Sequence, residues 1–151
     1  MPRFRKILFP VDLSEASEKV APFVTTMAEK FNSKVYLLFV ARVLQHYAAM
    51  YVPDPSISRF EGEVLEGAEK RLYEFRDAHF GHVAETQVDV LLGEVAEEIT
   101  RFAAEEKIDL IIMGTHGRKG LDKIVFGSVA DRVVKTSPTP VMVVNPFATH
   151  D

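Results

Sequence analysis

The residues able to do chemistry gather in two short runs. Leu110-Ile111-Ile112-Met113 is a continuous apolar run that breaks at Gly114, and Thr115-His116-Gly117-Arg118-Lys119-Gly120 follows as a basic, glycine-rich stretch. Gly127-Ser128-Val129 then opens a segment with helical patterning. Apolar runs of this kind are strands buried on both faces of a parallel sheet. A Gly-Ser pair at a helix start leaves backbone N–H groups free for an anion, helped by the positive end of the helix dipole. The glycines stand in the spacing G-x2-G-x9-G-[ST]. Gly114 lets the chain turn off its strand, Gly117 lets amides approach a ligand closely, and Gly127 with Ser128 offers N–H groups and a hydroxyl to the same phosphates. Any one of these glycines serves equally well in an ordinary turn. Together, between a strand and a helix, they point to a nucleotide site. Neither the P-loop pattern nor G-x-G-x-x-G occurs.

Other candidates carry weaker signals. Asp12 ends an early apolar run, where a carboxylate at a strand's carboxyl end is well placed to meet a ligand or, as the plain alternative, forms an Asx-turn before the helix at Ser14. Arg118, Lys119 and Lys123 can neutralise phosphate or stand solvated. His116 lies between loop glycines with no carboxylate beside it in sequence, which is more often a solvated histidine than a catalytic one. His79 and His82 lack a third ligand, so a zinc site is not expected. The glutamates at 94, 97, 98, 105 and 106 fit the wet face of a helix.

These residues sit in a chain of 151, one domain by length, with 47% hydrophobic and 26% charged residues. A net charge of −4 argues against a nucleic-acid surface, because phosphate backbones demand clustered Lys and Arg. The absence of cysteine suits a reducing cytoplasm. The early apolar run stops at Pro10 and Asp12, too short for a signal peptide or a membrane span.

The elements that must position the site alternate. Residues 6–12 predict a buried strand, with Ser14 as N-cap of a helix through Val20, Val24, Met27, Ala28 and Phe31. Lys34 to Ala41 is a second strand. Residues 42–58 form an irregular excursion, and a helix over 57–78 presents Phe60, Val64, Ala68, Leu72 and Phe75 on one face. Thr86 to Leu92 alternates like an edge strand, 94–106 is an amphipathic helix, 125–135 is helical, and Val141 to Val144 is a last strand. This β-α order implies an α/β fold, a single doubly wound, Rossmann-like domain whose parallel five-stranded sheet is covered by helices on both faces. If the first and fourth strands meet where the winding reverses, Asp12 and Gly114 face each other across one crevice. The last strand is apolar on both faces and lacks Lys, so pairing with a second copy would remove an exposed edge; coverage by Phe147 and the tail is the alternative.

From the run Ile7-Leu8-Phe9-Pro10-Val11-Asp12 to Pro140-Val141-Met142-Val143-Val144, and at every fixed position of the glycine spacing, the chain resembles the universal stress protein family, in its single-domain, ATP-binding branch. The resemblance implies strand order 3-2-1-4-5 and ATP, or AMP or ADP, with Mg2+ or Mn2+, across the ends of the first and fourth strands. Pro10, Val11 and Asp12 would then meet adenine and ribose, with Val40 and Met113 lining the adenine pocket. Gly114, His116, Gly117, Arg118, Gly127, Ser128 and Val129 would meet the phosphates. It also implies a homodimer through Val141–Val144 and a stress-response role. The expected function is a cytoplasmic sensor or regulator that works through conformation and partner binding. The alternatives are a slow ATPase at the same site, disfavoured because no base stands out, and a dimeric interaction module indifferent to nucleotide. A phosphoacceptor receiver domain is excluded, since no acceptor Asp ends the third strand and no Lys the fifth.

Overall fold

A computed structural model of the protein describes residues 3–42, 55–115 and 127–148, the side chains of 55–58 aside. The described residues form five strands and four helices: β1 Lys6–Pro10, α1 Glu15–Phe31, β2 Lys34–Ala41, α2 Pro55–His79, β3 Thr86–Leu92, α3 Val95–Glu105, β4 Leu110–Gly114, α4 Ser128–Thr136 and β5 Val141–Val144. The strands make one parallel sheet in the order β3-β2-β1-β4-β5, the order implied by the resemblance.

Period-two alternation in the strands sorts the core into two layers. Ile7 and Phe9 of β1, Val35 and Leu37 of β2, and Leu110 and Ile112 of β4 pack against Val20, Val24 and Ala28 of α1 and Leu72 and Phe75 of α2. Their neighbours Leu8, Tyr36, Leu38, Val40, Ile111 and Met113 pack on the opposite face against Ile99 and Phe102 of α3 and Ala130 and Val133 of α4. Both faces are thus covered, which explains why the central strands are apolar beyond the lysines that open β1 and β2.

Local chemistry starts and stops the helices. Ser14 is extended at the head of α1 and its hydroxyl accepts from the Ala16 N–H, 3.2 Å away. Asn32 ends the helix in the left-handed region with φ of 53°. Glu94 caps α3 by accepting from the Glu97 N–H at 2.8 Å. The amino end of the sheet is closed by Asp109: its Oδ2 accepts from the N–H groups of Arg5 at 3.0 Å and Lys6 at 2.9 Å, while its own N–H donates to the Lys6 carbonyl. At the same end, burial opposes the charge on Lys34, but Tyr36 and Glu85 beside it outweigh that and raise its pKa above 10.5.

The structure corrects several boundaries. β1 stops at Pro10 rather than 12, α2 runs from Pro55 to His79, and α4 is described from Ser128, with 125 and 126 outside the described residues. Phe60 is half exposed although it falls on the apolar stripe of α2, and Phe31 is 45% exposed, edge-on to Phe4 at 5.3 Å. Among the described residues no helix is long and apolar enough to cross a membrane.

Because Asp109 joins β4 to the entry of β1, Asp109→Ala is expected to lower stability by about 1–2 kcal/mol. The figure sits low in the usual range because the exposed Arg5 N–H can turn to water. Urea denaturation with an unchanged midpoint would contradict this.

Candidate functional site

Hydrogen-bonded pairing between β1 and β4 is confined to Ile7↔Leu110 and Leu8↔Ile111. On either side the ladders continue, β1 with β2 through Pro10↔Leu38 and β4 with β5 through Gly114↔Val144. A crevice therefore begins where the β1–β4 ladder stops, at the carboxyl ends of the two strands, where helices switch from one face to the other.

One wall is the segment after β1. Pro10 is partly buried, and Val11 is buried against the α1 and α2 layer with its N–H bonded to the Leu38 carbonyl at 2.9 Å. Asp12 is engaged through one oxygen only. Its Oδ1 accepts from the Ser14 N–H at 3.0 Å, the Ser14 hydroxyl at 2.6 Å and the Ser17 hydroxyl at 2.8 Å. Its Oδ2 is buried and has no partner among the described residues. Leaving a buried acceptor unpaired costs about 1–3 kcal/mol. Oδ1 thus closes an Asx-turn with the Ser14 N–H, the plain alternative read for Asp12. Leu13, next in the chain, has φ of 62°, and Arg71 of α2 donates to its carbonyl at 3.2 Å.

The other wall comes from β4 and α4. Thr115, just past Gly114, is buried; its N–H donates to the Val144 carbonyl at 2.9 Å, and its carbonyl accepts from the Gly127 N–H. The chain therefore returns to the end of β4 at the point where α4 begins. Gly127 has φ of −59° and ψ of 145°, open to any residue, so its requirement is steric. A Cβ there would lie 2.8 Å from the Thr115 carbonyl oxygen. The N-cap of α4 is Gly127, which has no side chain of its own to accept from the first-turn N–H groups. Ser128 is exposed, and Val129 is partly buried against the α3 and α4 layer.

Val40 and Met113 share that apolar layer and are each under 10% exposed, as core residues are. His116, Gly117 and Arg118, with Lys119 and Lys123, lie outside the described residues. His82 pairs with Glu29 at 3.0 Å, and His79 stacks on Phe75 at 4.6 Å. A separate open groove of about 240 Å³, lined by Leu13, Glu18, Arg71, Phe75 and His79 among others, lies between α1 and α2. The sequence reading passed over Ser17, although the spacing Asp12-x-Ser14-x-x-Ser17 was its signal, and Thr115, which only the pairing of chain ends could reveal.

The chain matches the model of the Universal stress protein family over residues 3–145. It belongs to that family. It is 34% identical to Universal stress protein MJ0531 of Methanocaldococcus jannaschii, over 93% of this chain and 82% of that one. It is 30% identical to Universal stress protein MJ0577 of the same organism, over 93% and 94%. The solved structure of MJ0577 superposes with a TM-score of 0.84 at 28% identity, covering 97% of this chain and 99% of that one. Two more distant universal stress proteins share the fold. One, in complex with cAMP, has a TM-score of 0.63 at 20% identity and covers 95% and 98% of the two chains. The other, from Archaeoglobus fulgidus in complex with dAMP, has a TM-score of 0.61 at 22%, covering 94% and 98%.

Replacing Gly127 by Ala presses a methyl against the Thr115 carbonyl and breaks the closure of the crevice wall. The expected loss is about 1–3 kcal/mol, with amide shifts at Thr115 and Val144 in NMR spectra. Unchanged stability and unchanged amides would show that the contact is relieved without cost.

Proposed function

We propose that this universal stress protein binds ATP in the crevice between β1 and β4 and acts as a nucleotide-dependent sensor or regulator in the cytoplasm. The observation that carries the reading is the buried Oδ2 of Asp12 just past the carboxyl end of β1, which has no partner among the described residues. A ribose hydroxyl supplies the donor that this oxygen lacks. The start of α4 supports the other end of the ligand: its N-cap is a glycine with no side chain to accept from the first-turn N–H groups, and helix N-termini of this kind suit phosphate oxygens. In this reading Val40 and Met113 flank adenine, and Gly114, His116, Gly117, Arg118, Gly127, Ser128 and Val129 hold the phosphates. The relatives solved with cAMP and dAMP support an adenine nucleotide as the class of ligand. Mg2+ or Mn2+ would arrive with the triphosphate, since the described residues contain no cluster of histidines and carboxylates able to hold a metal. We favour binding over turnover because no base for water activation stands out in the glycine stretch.

A ligand present at a hundred times its Kd stabilises the folded state by about 2.7 kcal/mol. For a domain of this size that corresponds to a rise in Tm of roughly 5–10 °C. ATP, ADP or AMP should produce such a rise in the purified protein, and Asp12→Asn should weaken binding about tenfold or more by placing a donor where the ribose needs an acceptor. If none of the three nucleotides moves Tm, the proposal fails.

We also infer a homodimer through β5, which lies at the sheet edge with Val143 exposed and Val134 of α4 likewise exposed. Val143→Lys places a charge on that edge and should convert a dimer to a monomer in analytical ultracentrifugation. Wild-type protein that sediments as a monomer at micromolar concentration would rule the pairing out.

A further inference from the structure

The hydrogen bonds on Asp12 exceed what capping α1 requires. Ser14 already performs the cap through its own hydroxyl, which accepts from the Ala16 N–H. Yet Oδ1 of Asp12 takes three donors, the Ser14 N–H, the Ser14 hydroxyl and the Ser17 hydroxyl, which is full use of its lone pairs. Ser17 holds both ends of the aspartate. Its hydroxyl accepts from the Asp12 N–H at 3.0 Å and donates to Oδ1 at 2.8 Å. Ser17 is 6% exposed, so water does not compete for these bonds. Oδ2 shares the carboxylate charge, is buried, and lacks a partner among the described residues. One oxygen is saturated and the other is left open.

We propose that Ser17, assisted by Ser14, is a positioning residue for nucleotide recognition, saturating Oδ1 so that Oδ2 of Asp12 is the single acceptor offered to one ribose hydroxyl. This rests on the adenine-nucleotide reading above and adds a specificity rule to it. The carboxylate reads one hydroxyl, so a nucleotide lacking both the 2′ and 3′ hydroxyls loses the contact entirely. Without the Ser17 hydroxyl the carboxylate loses the group that ties Oδ1 to its own backbone N–H and can rotate, and the fixed geometry that rewards a ribose hydroxyl is lost.

The test compares Kd for ATP and for 2′,3′-dideoxy-ATP by isothermal titration calorimetry in wild type, S17A and S17C, each checked for folding by circular dichroism. Wild type should prefer ATP by about tenfold or more, the discrimination that one charge-assisted hydrogen bond supplies. S17A should bind ATP as weakly as wild type binds the dideoxy compound while its affinity for the dideoxy compound stays the same. S17C keeps the side-chain volume with weaker hydrogen bonds; its ratio should fall in the same direction, and it decides the matter if S17A does not fold. A serine variant that keeps the wild-type ratio, or that loses affinity equally for both nucleotides, overturns the positioning role. So does a wild type that binds both equally. A wild type that binds neither nucleotide overturns the binding reading itself.

Discussion

A parallel sheet covered by helices on both faces has only its strand ends left for a ligand, and in this protein the two ends are treated in opposite ways. At the amino end Asp109 ties β4 to the entry of β1 with two accepted bonds and one donated, and Lys34 donates its backbone N–H to the Arg5 carbonyl. At the carboxyl end the β1–β4 ladder stops after Leu8↔Ile111. The same pair of strands is clasped at one end and open at the other. The opening falls where α1 and α2 cover one face and α3 and α4 the other.

Keeping that opening ready costs stability that the rest of the fold must offset. A buried carboxylate oxygen without a donor is unfavourable by itself, and Leu13 in the left-handed region adds about 1 kcal/mol or more. Both sit within three residues of the end of β1, and both are held by groups from other elements, Ser17 of α1 and Arg71 of α2. Strain confined to a strand end and fixed from two helices is what a preorganised binding wall requires.

Much of this was legible in the residues themselves. Apolar runs located every strand, and the β-α alternation implied a parallel sheet with two covered faces, because these are properties of local pattern. Helical periodicity misplaced Phe60 and Phe31, since it identifies a face without saying how far the sheet extends beneath it. Asp12 could be read as an Asx-turn residue or as a ribose acceptor, and residue type cannot show which of its two oxygens the turn uses; here it is Oδ1. Ser17 was hidden for a similar reason. A serine in the first turn of a helix ordinarily faces water, and here the turn at Leu13 folds the Asp12 backbone over it. Val40 and Met113 show the converse limit, because an apolar residue at a strand end has the same pattern whether it lines a pocket or fills a core.

The division of the crevice into two walls also constrains what kind of sensor it can be. In the proposed reading a ribose contact at Asp12 would be common to ATP, ADP and AMP, so it would contribute affinity without telling one from another. A ligand shifts a conformational equilibrium only by its difference in affinity for the two states. Discrimination among the nucleotides must therefore arise at the wall where they differ, among Gly114, Gly127 and the first turn of α4. That wall is joined to β5 through two hydrogen bonds in series, Gly127 to Thr115 and Thr115 to Val144. Any change in how phosphate is held at α4 thus has a short covalent and hydrogen-bonded route to the sheet edge carrying Val143. If the proposed reading holds, the wall at Asp12 would anchor the ligand, and the wall at Gly127 would be the one placed to report which ligand it is.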